Sequence, residues 1–168
     1  MRRKTQILKK TAIHWRPLIG WILLCEVVGI IGSIFTVPQI SSWYATLVKP
    51  SFSPPNWVFG PVWIVLYALM GFAAYRIWSQ GMKKTHRRMG MYIFIAQLVC
   101  NFLWSILFFS FHTISLAFVD IAIMWVCIAV LILRFEKSDS LISYSLLPYL
   151  FWVSFAMVLN YNLWLLNA

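Results

Sequence analysis

Five stretches of the chain run apolar for about twenty residues each, at about residues 18–37, 57–79, 91–111, 114–134 and 141–164, with short polar segments between them. None alternates with the period of two that a membrane-spanning strand shows, and each exceeds the roughly ten residues such a strand needs. Twenty residues at a helical rise of about 1.5 Å match a hydrocarbon core about 30 Å thick. In lipid the backbone polar groups have to be satisfied within the segment, so the pattern predicts helices. The expected fold class is an all-α integral membrane protein. A five-helix transmembrane bundle fills residues 18–168, and a basic segment precedes it at residues 1–17. The run from Leu18 to Val37 is longer than a signal h-region and no small-residue cleavage pattern follows it, so it reads as a retained helix.

The segments between the runs differ in kind. The turn around His112 and Thr113 is so short that the third and fourth helices have to be antiparallel neighbours. The first connection is long and unusual. From Trp43 to Trp63 it reads WYATLVKPSFSPPNWVFGPVW, with Pro50, Pro54, Pro55 and Pro61 among Trp43, Tyr44, Phe52, Trp57, Phe59 and Trp63. A solvent loop would carry Ser, Gly and charge. Proline excludes a continuous helix over the first two-thirds of the stretch. The expectation is an ordered, aromatic lid over an apolar pocket.

Composition agrees with a membrane protein: 62% of residues are hydrophobic and 11% charged, too little polar surface for a soluble domain of this size. The net charge of +10 would suggest nucleic acid in a soluble chain, but the position of the charges assigns them to membrane topology and lipid headgroups. Of the 14 Lys and Arg residues, Lys49 stands alone on the side of the lid and the other 13 fall on the opposite side. By the positive-inside rule the N-terminus is cytoplasmic and the C-terminus outside, most simply in a bacterial cytoplasmic membrane. Cys25, Cys100 and Cys127 lie inside apolar runs without metal-type spacing and read as core residues. No G-x-S-x-G, H-E-x-x-H or Walker loop is present.

Polar groups inside spans carry information because each is costly in lipid. Glu26 lies in the first span, Gln97 and Asn101 in the third, Asp120 in the fourth, and Asn160 and Asn162 in the fifth. Helical spacing puts Asn101, Trp104, Ser105 and Phe108 on one face, Tyr149, Trp152, Ala156 and Asn160 on another, and Trp63 with Tyr67 on a third. Trp63, Trp104, Trp152, Asn101 and Asp120 fall at depths that allow them to converge beneath the lid. A cavity walled by indoles and phenols suits a flat, conjugated ligand. Trp15, Trp43, Trp57 and Trp164 read instead as interfacial anchors. Glu26 shares its helix with Gly29, Gly32 and Ser33 and reads as part of a tight helix contact. Asp120 is open between a proton-relay or substrate role and a carboxyl bonded to a neighbouring helix. His112 lacks the second axial partner of a haem site.

Several of these stretches, taken together, resemble one family. W-Y-x-x-L-x-K-P-S-F-S-P-P (Trp43–Pro55), W-I-V-L-Y in the second span, N-F-L-W-S-x-x-F-F (Asn101–Phe109), Asp120, and P-Y-L-F-W-x-x-F-A-x-x-L-N (Pro148–Asn160) are similar to the translocator protein family, also called the tryptophan-rich sensory protein or peripheral benzodiazepine receptor family. The resemblance runs from about Leu18 to Trp164. It implies a five-helix protein, often a homodimer, with a porphyrin as ligand and, in some members, sterols or benzodiazepine-type drugs. No cofactor is required. By motif the implied pocket positions are Tyr44, Pro54, Trp63, Asn101, Ser105, Trp152 and Ala156. With Trp104 and Asp120 from the facing argument, these make the candidate ligand-binding set. Three functions are compatible: a porphyrin-binding sensor, an enzyme degrading porphyrin with light and oxygen through Trp63 and Trp152, and a small transporter. Phe52 stands where many members have Trp. The last span, ending L-N-Y-N-L-W-L-L-N-A, lacks the basic residue of the family's proposed sterol pattern, which argues against sterol binding.

Overall fold

The computed structural model describes residues 13–79 and 83–168. Most of the basic segment, residues 1–12, lies outside the described residues. Helix α1 covers Trp15–Ile40, α2 is a single turn at Trp43–Thr46, α3 covers Phe59–Ser79, α4 Lys84–Ser105, α5 Ile114–Phe135 and α6 Ser140–Asn167. A 3-10 turn at Asn56–Val58 leads into α3, and α4 continues as a π-helical turn at Ile106–Ser110. No strand occurs among the described residues. The five long helices, each counted with its adjoining turn, are apolar and long enough to cross a bilayer.

Three departures from the apolar runs stand out. The helix expected from residue 91 starts at Lys84, since long basic side chains at a helix end reach the interface while the backbone stays helical. The first helix starts at Trp15 and passes Pro38 to end at Ile40. Pro17 falls in its first turn, where the missing N–H has no intrahelical acceptor to lose, and Pro38 falls in its last turn, where one hydrogen bond is lost. Ser42 Oγ donates to the Pro38 carbonyl at 2.8 Å beyond that point. The third difference is α2 itself. Proline restrains its own position and the residue before it, and Pro50 comes too late to prevent a turn at residues 43–46.

The long helices pack in a closed ring, α1 against α3, α3 against α6, α6 against α5, α5 against α4 and α4 against α1. Near the basic end the α1–α3 pair is very tight. A Cβ on Gly71 would stand 2.5 Å from the Ile22 Cα, and one on Gly29 would collide with the Tyr67 ring. Small residues at a crossing let two helix backbones approach closely. Arg76 and Asp139 close the basic end, with an N–O separation of 2.8 Å. Asp139 also caps α6 by accepting from Leu141 N. The interior toward that end is filled by Met70, Ala73, Ile77, Phe94, Ile128, Leu131 and Phe135, all fully buried. Toward the lid the ring is not filled.

Candidate functional site

The unfilled half of the bundle is a cavity of about 500 Å³ to which all five long helices contribute. Tyr67 and Asn101 line its inner end. Tyr67 donates its hydroxyl hydrogen to Asn101 Oδ1, and Asn101 Nδ2 donates to the Tyr149 hydroxyl at 3.0 Å. Tyr149 passes its own hydrogen to Met124 Sδ at 3.1 Å. Helices α3, α4, α5 and α6 are thus pinned together by one polar chain.

The walls are aromatic. The ring of Trp63 lies 5.5 Å from Tyr67 and edge-on to Tyr149 at 6.3 Å. Trp152 meets Phe59 at 5.8 Å and Phe155 at 5.6 Å. Trp104 stacks on Phe108 at 5.0 Å. Its indole N–H donates to Asn160 Oδ1 at 3.0 Å, and Asn160 Nδ2 donates to the Ile114 carbonyl at 2.9 Å. The indole N–H of Trp152 is buried and has no protein partner. An unpaired buried donor costs about 1–3 kcal/mol.

The π-helical turn shapes the wall at the lid end. The amide of Phe111 donates to Ile106 O, five residues back, at 2.9 Å. An ordinary helix turns about 100° per residue, so adjacent side chains diverge. The wider turn lets the neighbouring Phe108 and Phe109 both lie buried and both line the cavity.

Above them sits the lid. Tyr44 is buried on Phe108 and Phe109 at 6.2 and 5.8 Å, and burial pushes its phenol above the ordinary value, so it stays a neutral donor. Lys49 Nζ lies 4.5 Å above its ring. Trp43 stacks on His112 at 4.1 Å, and His112 holds a φ of 54° that non-glycine residues seldom adopt. Phe52 meets Phe155 at 6.3 Å.

The cavity also has a side opening. Ile30 and Val37 of α1 and Ile64 of α3 line it and are 61%, 62% and 62% exposed. Gly60 lines the same gap, with nothing within 4 Å of where a Cβ would be. The part of the wall built by α1 and α3 near the lid is thus made of exposed apolar side chains and a glycine.

Of the nine positions named from sequence, Tyr44, Trp63, Asn101, Trp104, Ser105, Trp152 and Ala156 line the cavity. Pro54 and Asp120 do not. Pro54 shapes the loop without reaching the space below it. Asp120 is buried, but α5 turns Ile121 and Met124 toward the cavity instead. Asp120 Oδ2 is buried without a hydrogen-bond partner among the described residues. Glu26 lines the α1 wall, and Trp57, expected as an interfacial anchor, stands at the mouth. Asn160 and Tyr67 belong to the site although the sequence reading did not select them. Both were visible at helical spacing, four residues from Ala156 and from Trp63.

Comparison with known proteins follows this geometry. The profile of the TspO/MBR family matches residues 21–165. The tryptophan-rich protein TspO of Chlorobaculum tepidum is 42% identical over 144 residues, covering 86% of this chain and 91% of that protein. The translocator protein of Homo sapiens is 34% identical over 153 residues, 89% of each chain. The tryptophan-rich sensory protein of Cereibacter sphaeroides is 29% identical over 155 residues, covering 92% of this chain and 94% of its own. With five membrane-spanning helices and a tryptophan-walled cavity beneath a proline-rich lid, the chain belongs to the TspO/MBR family.

Proposed function

We propose that this membrane protein is a receptor for a flat conjugated macrocycle of the porphyrin class, held in the cavity beneath the lid. The observation that carries the reading is the wall itself, in which the rings of Trp63, Trp104 and Trp152 surround the space. Its volume falls within the range of roughly 300–1,000 Å³ typical of small-molecule pockets. Indole faces supply stacking without a directional requirement on the ligand. Ser105 adds a hydroxyl to the wall. Lys49, held over Tyr44 at the roof, is the cation nearest an anionic substituent pointing toward the lid.

The basic end of the bundle, with Arg76, Lys84, Arg87, Arg88, Arg134 and Lys137, is proposed to face the cytoplasm and the lid the opposite side. A reporter fused at Ala168 is then active only outside the cytoplasm.

Tryptophan fluorescence of the purified protein tests the ligand. Titration with protoporphyrin is expected to quench it saturably at one ligand per chain, and a linear apolar molecule of equal size to quench it weakly. Equal quenching by both refutes the macrocycle reading. Illuminating the loaded protein in air separates a receptor, which returns the porphyrin intact, from an enzyme that consumes it.

A further inference from the structure

The end of the bundle opposite the lid carries a second recess, of about 230 Å³, between the last turn of α3 and the first turns of α4. Trp78, Lys84, Arg87, Arg88, Met91 and Tyr92 line it. Half of those side chains are cations, and among the described residues none of them is ion-paired. The ion pair at this end belongs to Arg76 and Asp139.

Helix stability does not explain the cluster. Cations in the first turns of a helix oppose its macrodipole, and α4 has neither an acidic residue in its first turn nor a side-chain cap to offset them. Arg88 is already oriented. Its Nε donates to the Tyr92 hydroxyl at 2.8 Å and its guanidinium lies 5.4 Å from that ring's centroid. The two terminal nitrogens remain for an acceptor, in the fork geometry that suits a phosphate.

The vertical order of the groups narrows the ligand. Cations stand at the end of the helix. Beside and below them Trp78 and Tyr92 are 49% and 53% exposed, at the level where interfacial aromatics sit. Met91 stands at the level of the rings, and below them the exposed Ile95 and Val99 continue an apolar strip down α4. Charge, then ring, then hydrocarbon is the order of an anionic phospholipid read from head to tail. A free phosphate would need only the first of the three.

We propose that this recess binds one anionic phospholipid of the adjoining leaflet. Its phosphate sits among Lys84, Arg87 and Arg88, its glycerol esters lie against Trp78 and Tyr92, and one acyl chain follows Met91, Ile95 and Val99. The site is separate from the lid-covered cavity and does not depend on what that cavity holds.

The test uses the full-length chain in a neutral detergent, reading the thermal midpoint of unfolding. Short-chain phosphatidylglycerol, the matching phosphatidylcholine and inorganic phosphate are titrated against wild type and a Lys84→Gln, Arg87→Gln, Arg88→Gln triple variant. Phosphatidylglycerol is expected to raise the wild-type midpoint saturably by several degrees, with little response to the other two. The triple variant should lose that shift. An equal saturable response to phosphatidylcholine shows that charge is not read, and one to inorganic phosphate shows a bare anion site; either overturns the proposal. So does a triple variant that responds as wild type does. Should the triple variant fail to fold, Tyr92→Phe is read instead. It keeps the ring and frees Arg88, and it is expected to weaken half-saturation by phosphatidylglycerol several-fold. Unchanged half-saturation overturns the proposal.

Discussion

Asn167, in the last turn of α6, grips the backbone of Val48 in the lid, accepting from its amide at 2.9 Å and donating to its carbonyl at 3.0 Å. The side chain thus imitates a neighbouring strand, and it fastens the middle of the lid to a helix that also builds the cavity. Asn167→Ala removes both bonds. Each is worth about 0.5–1.5 kcal/mol net, so ligand release should speed up roughly tenfold at 1.4 kcal/mol per decade. The thermal midpoint should barely move, because the helices do not depend on the contact. Stopped-flow release of porphyrin measures the rate, and an unchanged rate means the lid does not gate the cavity.

Trp63 and Trp152 should both act through their ring faces. Phe at Trp63 keeps a flat face, and binding should stay within about threefold. Phe at Trp152 removes only an N–H that is buried away from the cavity surface, so binding should likewise stay within about threefold. Ala at either site should cost about 1–3 kcal/mol of binding, as base stacking does on aromatic platforms. Quenching titrations on variants of unchanged helicity decide it, and Ala variants that bind as wild type place the ligand elsewhere.

The glycines of α3 give opposite expectations. Gly71→Ala puts a methyl group 2.5 Å from the Ile22 Cα, against backbone that cannot swing away. Overpacking of this kind costs about 1–3 kcal/mol, and the thermal midpoint should fall. Gly60→Ala meets nothing within 4 Å and should be neutral in stability. Gly60→Trp at the same open position should fold and exclude ligand. A stable Gly71→Ala would show that α1 and α3 do not need their close crossing.

Asp139 holds Arg76 while capping α6, and its side chain is 5% exposed. Removing one partner of a buried pair costs about 3–5 kcal/mol because the other charge stays behind. Asp139→Ala should therefore lower the thermal midpoint sharply, and Asp139→Asn less, since the amide oxygen still accepts from Leu141. Far-ultraviolet dichroism melts compare the two, and a midpoint equal to wild type in both would rule out a structural pair.

Much of this site was legible because helical spacing carries it. Trp152, Ala156 and Asn160 repeat every four residues, and so do Asn101 and Ser105. Facing and depth followed from the rise and turn of a helix alone. The π-helical turn was not legible, since the adjacent Phe108 and Phe109 satisfy an ordinary helix equally well until the turn of His112 and the packing of Tyr44 select the wider one. Asp120 failed for a related reason. Depth is set by residue number, but direction depends on how α5 rotates against α4, and a rotation that buries Asp120 beside Cys100 presents Ile121 to the cavity. Pro54 was placed by motif, which identifies a loop more securely than it says which loop residue reaches inward.

The exposed apolar wall of Ile30, Val37 and Ile64 bears on how affinity for this protein has to be expressed. A ligand that passes between Ile30 and Ile64 comes from hydrocarbon, so its chemical potential is set by mole fraction in the bilayer. At a fixed total amount of such a ligand, adding empty lipid dilutes it and lowers occupancy, although nothing in the aqueous volume has changed. Two detergents or two lipid ratios will then return different apparent constants for one unchanged cavity. The constant that should transfer between preparations is the one normalised by the ligand's partition between membrane and water.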